Sequence, residues 1–237
     1  MAKAKLGALL QDLSGKVGNA VFVKSKEGPV VRVRTSPTNP KTTAQVAARA
    51  RLSTVSKIFK GFNATQEAAW DNYASTLTHK DSITSKRFTP TAITAFTALG
   101  TKFLQVNPTG TVPTTPPTSS YSGDIITLTA LASTGKITFT ASAANALPNK
   151  TELLLQPLKS RNRNPQKGAY RSQAFVAFTA GSLSADVVVP PGYYAAAYRF
   201  VNLMTGQETA LVPIGVHQVT LAVQSTNKGA AGQKKAA

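Results

Sequence analysis

Cysteine is absent from the 237 residues of this chain, which excludes disulfide bonds and thiolate metal sites. The two histidines, His79 and His217, have no second histidine or carboxylate at the spacing of metal ligands. No Gly-x-Ser-x-Gly nucleophile motif occurs, and the acidic residues are scattered. General acid–base chemistry needs positioned titratable groups. We therefore expect no enzymatic activity, no catalytic residues, no metal site and no cofactor.

Long apolar runs are also missing. No stretch of about 18 apolar residues is present, so we expect no transmembrane helix and no membrane partner. The apolar stretch at residues 6–10 is followed by Asp12 and is shorter than the core of a signal peptide. These features predict a protein that is made in the cytoplasm.

Acidic residues are scarce: nine of them stand against 27 lysines and arginines, which gives a net charge of +18. A charge of this size attracts polyanions over long distances. The excess is uneven, because residues 1–60 hold 12 basic and 2 acidic residues. The first quarter of the chain is therefore the stronger candidate for contact with a polyanion.

Residues 20–35 have the alternation of a β-hairpin, with Gly28 and Pro29 in the predicted turn. A period of two predicts that the valines lie on one face and that four basic residues lie on the other. These basic residues are Lys24, Lys26, Arg32 and Arg34. Two interpretations stay open: a solvated outer face, or a face that contacts a polyanion.

Three helices follow in the predicted order. The first begins at Thr42 or Thr43 and ends near Lys60, with Arg49, Lys57 and Lys60 beside its apolar stripe. The second contains the single tryptophan, Trp70, which we expect in the core between helices, and the third covers residues 91–106. A helix-turn-helix DNA reader is not expected, because the second helix carries no lysine or arginine for the base edges.

Residues 108–122 are rich in proline and threonine and predict an extended linker. Seven short runs of β-branched and aromatic residues follow, as in immunoglobulin-like or fibronectin-like sandwiches. The predicted fold class is α+β with two domains: a hairpin-plus-helices module followed by an all-β sandwich without the cysteine pair of immunoglobulins. The expected limits are residues 1–107 for the basic module, 108–122 for the linker, 123–225 for the sandwich and 226–237 for a flexible tail.

One loop between two predicted strands contains five basic residues and no acidic residue. These residues are Lys159, Arg161, Arg163, Lys167 and Arg171. The loop is either simply solvated or in contact with phosphate or another acidic surface. We refer to residues 159–171 as the basic loop.

The first hundred residues resemble a family of uncharacterised bacterial and phage or prophage proteins. The similarity lies in the order of a hairpin, an Asn-Pro-x-Thr-x-x-Gln helix start and a second helix with Gln-x-x-x-Trp. The matching segments are residues 14–19 (SGKVGN), 31–34 (VRVR), 39–45 (NPKTTAQ), 49–52 (RARL) and 65–70 (TQEAAW). Residues 153–156, the basic loop and residues 194–209 are similar to the β domain that often follows in this family. The resemblance implies a virion or assembly component and transfers no catalytic residue.

Two functional hypotheses follow. In the first, the chain is a structural component of a phage virion or a related assembly, and its partners are copies of itself or other assembly proteins. In the alternative, it binds DNA or RNA without sequence preference through the basic N-terminal face. The two roles are compatible, because a virion protein that faces packaged genome would be basic.

Overall fold

The computed structural model describes residues 2–3, 14–25, 28–36, 38–80 and 87–221. Lys26 and the predicted tail at residues 226–237 lie outside the described residues. The structure is α+β, with three helices and several antiparallel sheets in the part described. The chain divides into two compact units between Val46 and Ala47.

The first unit contains a four-stranded antiparallel sheet. Its strands are β1 (Ala2–Lys3), β2 (Gly15–Val17), β3 (Ala20–Ser25) and β4 (Gly28–Val33), in the order β1-β4-β3-β2. The predicted hairpin is present as β3 and β4, but the predicted separation of faces is wrong. Val21 lies directly opposite Arg32, and opposite residues of an antiparallel pair share a face. The register set by pairing therefore places valine and arginine side by side.

The helices are α1 (Thr43–Phe59), α2 (Ala64–Thr76) and α3 (Ala92–Val106). Asn63 caps α2 by accepting a hydrogen bond from the backbone N–H of Gln66, whose side chain accepts one from the backbone N–H of Asn63. This reciprocal pair satisfies two N–H groups that the first turn of a helix leaves free. A two-stranded ribbon of β5 (His79–Lys80) and β6 (Arg87–Phe88) lies between α2 and α3 in the chain.

The helices of the second unit enclose an aromatic core. Trp70 and Phe96 are 2% and 1% exposed, and their ring centroids lie 5.0 Å apart in an edge-to-face contact. Gly100 of α3 allows close approach of α1, since an added Cβ would lie 2.9 Å from Val55 Cγ1. The expected core position of Trp70 is confirmed.

Seven strands form two further antiparallel sheets that share one hydrophobic core. One sheet has the order β10-β9-β12-β13 and the other β11-β8-β7. The strands are β7 (Leu128–Ser133), β8 (Lys136–Ala141), β9 (Asn149–Leu158), β10 (Arg171–Val176), β11 (Ser184–Val188), β12 (Gly192–Asn202) and β13 (Val212–Val219). Phe139 of β8 and Leu153 of β9 are both fully buried and represent the two sides of this core. The core is thus built by the inward-facing side chains of facing sheets.

Residues 108–122 differ from the extended spacer expected from their prolines. Val112 is 4% exposed within the helical core, and the Trp70 indole N–H donates to the carbonyl oxygen of Thr114 at 2.8 Å. Tyr121 donates to Asn149 Oδ1 at 3.0 Å, which ties the end of the segment to β9. Local composition favours extension, but buried apolar and hydrogen-bonded contacts fix the segment against its neighbours. It lies inside the second compact unit and not at the division between the units.

Candidate functional site

The structure places the candidate cations on separate elements. Arg32 lies in β4 and Arg34 follows that strand, and both are exposed. Lys24 belongs to β3, and its side chain lies outside the described residues. Arg49 and Lys57 are exposed along α1, and Lys60 is exposed just after its end. The expected basic face of the first quarter is therefore distributed over a sheet and a helix.

Residues 159–170 of the basic loop join β9 to β10, Arg171 is the first residue of β10, and the loop is tied to β9 by a hydrogen bond. The backbone N–H of Gln166 donates to Gln156 Oε1 at 3.0 Å, and residues 167–169 form a turn of 3-10 helix. All five of its cations are exposed: Lys159, Arg161, Arg163, Lys167 and Arg171. None of them forms an ion pair with an acidic residue that the structure describes. The loop is therefore an ordered, exposed and uncompensated positive patch.

The acidic residues that the structure describes between residues 108 and 221 are engaged elsewhere. Asp124 accepts hydrogen bonds from the backbone N–H of Ala146 at 2.8 Å and from the side chain of Asn145 at 3.2 Å. Asp186 pairs with Lys136 at 2.5 Å on the outer surface of the smaller sheet. The Asp186 pKa is lowered by hydrogen bonds from Lys136 and the Thr138 hydroxyl. These carboxylates are thus engaged away from the basic loop.

Four further charged residues form a network that joins α3 to β9 and β12. Glu152 of β9 accepts from Lys102 Nζ at 2.5 Å and from Arg199 Nε at 2.6 Å through the same oxygen, Oε2. Glu208 closes the network, with Lys102 Nζ at 3.1 Å and Arg199 at 2.6 Å. Two carboxylates and two cations make it neutral in sum. We refer to these four residues as the charge network.

Burial decides the character of this network. The side chains of Glu152 and Lys102 are 1% and 8% exposed. Desolvation opposes ionisation of Glu152, but the hydrogen bonds from Arg199 and Lys102 outweigh it and hold the Glu152 pKa below its usual range. The Ser172 side chain adds a smaller contribution in the same direction, although no described group makes a hydrogen bond of normal geometry to Glu152 Oε1. The charges therefore fix α3 on the sheet.

Sequence reasoning did not identify this network. Its two most buried members are 50 residues apart, and neither lies in a charged run. The available signal is that each stands inside an apolar segment, Lys102 in α3 and Glu152 directly before three leucines. A charged side chain in such a segment is rarely buried unless it has a partner. The sequence therefore predicts that each of these residues has an oppositely charged partner, but it does not identify that partner.

The histidines lie apart from one another. His79 is in β5, with its ring centroid 5.8 Å from that of Phe88, and His217 is in β13. Burial lowers the His217 pKa from its ordinary value. Over the described ranges, no three histidine or acidic side chains are close enough to hold a metal ion. No helix in the part of the chain that the structure describes is long and apolar enough to cross a membrane.

Comparison of the chain with protein-family models, curated proteins and solved structures finds no match. Function is therefore inferred from the geometry and charge of the described residues.

Proposed function

We propose that this chain is a non-enzymatic structural component of a phage virion or a related assembly, and that its exposed basic groups contact nucleic acid without sequence preference. Its partners in this proposal are copies of itself or other assembly proteins, together with DNA or RNA. The protein is made in the cytoplasm and then becomes part of a particle, with no membrane partner. The family resemblance of the first hundred residues supports the assembly role.

The separation of charge is the observation that carries the nucleic-acid part of the proposal. In the second unit, four described carboxylates are engaged by cations, backbone N–H groups or amides. These carboxylates are Asp124, Glu152, Asp186 and Glu208. The basic loop meanwhile exposes five cations with no acid among them. Binding to a phosphate backbone depends on such uncompensated cations and carries no sequence information.

We also propose that the strands form an immunoglobulin-like sandwich of the fibronectin-like type, and that the helices belong to a second domain held against it. The strand order supports this proposal. In a constant-type immunoglobulin domain the fourth strand pairs with the fifth. Here the fourth strand, β10, pairs with the third, β9, and so belongs to the other sheet. The charge network supplies the contact between α3 and the sandwich.

The decisive experiment measures binding of the full-length protein to short duplex and single-stranded DNA and RNA of two unrelated sequences over a series of salt concentrations. We expect similar affinities for the two sequences and a steep fall in affinity with salt. Replacing all five cations of the basic loop with glutamine should reduce the slope of log K against log salt by about 0.9 for each phosphate of duplex DNA that those cations neutralise. A second variant, with glutamine at Arg49, Lys57 and Lys60, measures how much of the salt slope comes from the cations at α1.

A matched control keeps the loop and its charge. Alanine at Ser160, Asn162 and Asn164 changes exposed polar residues of the same loop and should leave the salt slope unchanged. Binding that is absent, or that is independent of salt, would contradict the nucleic-acid role. A protein that stays monomeric at high concentration and never co-purifies with particles would contradict the assembly role.

A further inference from the structure

A groove of about 920 Å³ opens in the second unit beside α2, the start of α3 and residues 116–121. Its volume lies within the range of small-molecule sites in proteins. Four aromatic side chains line it: Tyr73, His79, Phe88 and Tyr121. Phe88 is 52% exposed, which is high for a ring of this size, and its ring faces the groove beside His79. The groove therefore offers flat apolar surfaces to a ligand.

Hydroxyl and amide side chains also line the groove. They belong to Asn72, Thr76, Thr94, Thr118, Ser119, Ser120 and Gln207. Gln207 Nε2 donates to the carbonyl oxygen of Ser119 at 3.1 Å, which holds the wall formed by residues 116–121. The Asn72 side chain is exposed and makes no hydrogen bond to any residue that the structure describes. Its amide is thus available both to donate and to accept.

Charge distinguishes this groove from the rest of the protein. None of the described residues that line it is a lysine or an arginine, although the chain has 27 of them. Its one carboxylate, Glu208, is compensated by Lys102 at 3.1 Å and by Arg199 at 2.6 Å. The groove is consequently close to neutral in a protein of net charge +18. Its complement is an uncharged ligand and not a polyanion.

We propose that this groove binds an uncharged oligosaccharide. The C–H face of a sugar ring packs on exposed aromatic rings, and sugar hydroxyls pair with amide and hydroxyl side chains. A proline-rich peptide would also use aromatic rings, but it has few groups to pair with side chains that make no hydrogen bond to a described residue, such as Asn72. Phe88 supplies the main stacking surface, and Asn72 supplies hydrogen bonds. Saccharide binding here is independent of nucleic-acid binding, since it involves other residues and other forces.

The test measures binding of the full-length protein to a panel of uncharged oligosaccharides of glucose, galactose, mannose and N-acetylglucosamine. Binding is detected by saturation-transfer NMR and quantified by calorimetry. We expect at least one of them to bind, with an affinity that does not change with salt, because no ionic contact is involved. Phe88→Ala and Asn72→Ala should each weaken binding about tenfold. Ile125→Ala, which changes an apolar residue that is 99% exposed and lies outside the groove, should have no effect.

The proposal is overturned if no member of the panel binds, or if binding is unchanged in both groove variants. It is also overturned if a proline-rich peptide binds in a Phe88-dependent manner and the saccharides do not. Both groove variants should retain the salt-sensitive binding of nucleic acid shown by the unmodified protein. Failure of one proposal is therefore distinguishable from failure of the other.

Discussion

The charge network predicts a large and specific loss of stability when one of its cations is removed. Lys102→Met keeps a side chain of similar length but deletes the ammonium group. Glu152, whose side chain is 1% exposed, would then retain a single charged partner among the described residues, Arg199, at 2.6 Å. A buried carboxylate that is deprived of a partner keeps the cost of its desolvation without the compensating attraction.

The expected size follows from burial. Breaking a buried ion pair by removing one partner costs about 3–5 kcal/mol. Because Arg199 remains in place, we expect the lower end, about 3 kcal/mol. The assay is urea denaturation at neutral pH, monitored by the fluorescence of Trp70, the only tryptophan of the chain. The urea midpoint should fall while the slope m, the dependence of the free energy of unfolding on urea, stays the same. An unchanged m marks a loss of stability without a change in the surface that unfolding exposes.

Two further variants make the reasoning refutable. Lys102→Met combined with Glu152→Leu removes both charges, so it should destabilise the protein less than Lys102→Met alone. Lys136→Met is the matched control, since Lys136 and Asp186 are also 2.5 Å apart but are 43% and 44% exposed. It should have little effect, because water screens an exposed pair. If Lys102→Met costs no more than Lys136→Met, burial does not determine the strength of the pair.

Two other predictions concern backbone and protonation. Gly206→Ala should lower the melting temperature far more than Gly135→Ala. Both glycines have a positive φ, of 74° and 71°. Only a Cβ on Gly206 would meet another atom, the carbonyl oxygen of Leu99, which would lie 2.4 Å away. Equal decreases would show that the clash is relieved at no cost. The His217 pKa is lowered in the folded state, so the unfolded chain takes up a proton first and stability should fall as pH drops below about 6.5. His217→Phe should reduce that part of the pH dependence of the urea midpoint, and an unchanged dependence would exclude His217 as its source.

Much of the secondary structure was predictable because local signals agree with packing. Helix α1 ends at Phe59, within one residue of the predicted end near Lys60, and the third helix begins within one residue of the prediction. Residues 125–129 (IITLT) are the first of the seven β-branched and aromatic runs and predict a strand from Ile125, whereas β7 begins at Leu128. Ile125 is 99% exposed and its N–H donates to the side chain of Asp124, so a local hydrogen bond directs the chain away from the sheet there. Apolar character alone could not reveal that bond.

The parts that escaped prediction all depend on contacts between distant residues. The register of β3 and β4 places Val21 beside Arg32, and alternation along one strand cannot reveal what lies on its neighbour. The prolines of residues 108–122 predict an extended segment. The burial of Val112 depends on the core formed by the helices, which the composition of the segment does not reveal. Exposed cations were easier to predict from the sequence. A run of basic residues without acids is expected at the surface, and this expectation does not depend on a partner elsewhere in the fold.

The distribution of charge separates the groups that stabilise this protein from the groups that we propose bind nucleic acid. The charge network contains two cations and two carboxylates, and the pair of Lys136 with Asp186 is also neutral. Because these paired groups sum to zero charge, the net charge of +18 belongs to the rest of the chain. Substitutions in the network should therefore alter stability and leave the salt slope of polyanion binding intact, whereas substitutions in the basic loop should do the reverse. In this proposal the two sets of residues act through different physical effects, because the charge network depends on desolvation and the basic loop would depend on the release of counterions into water.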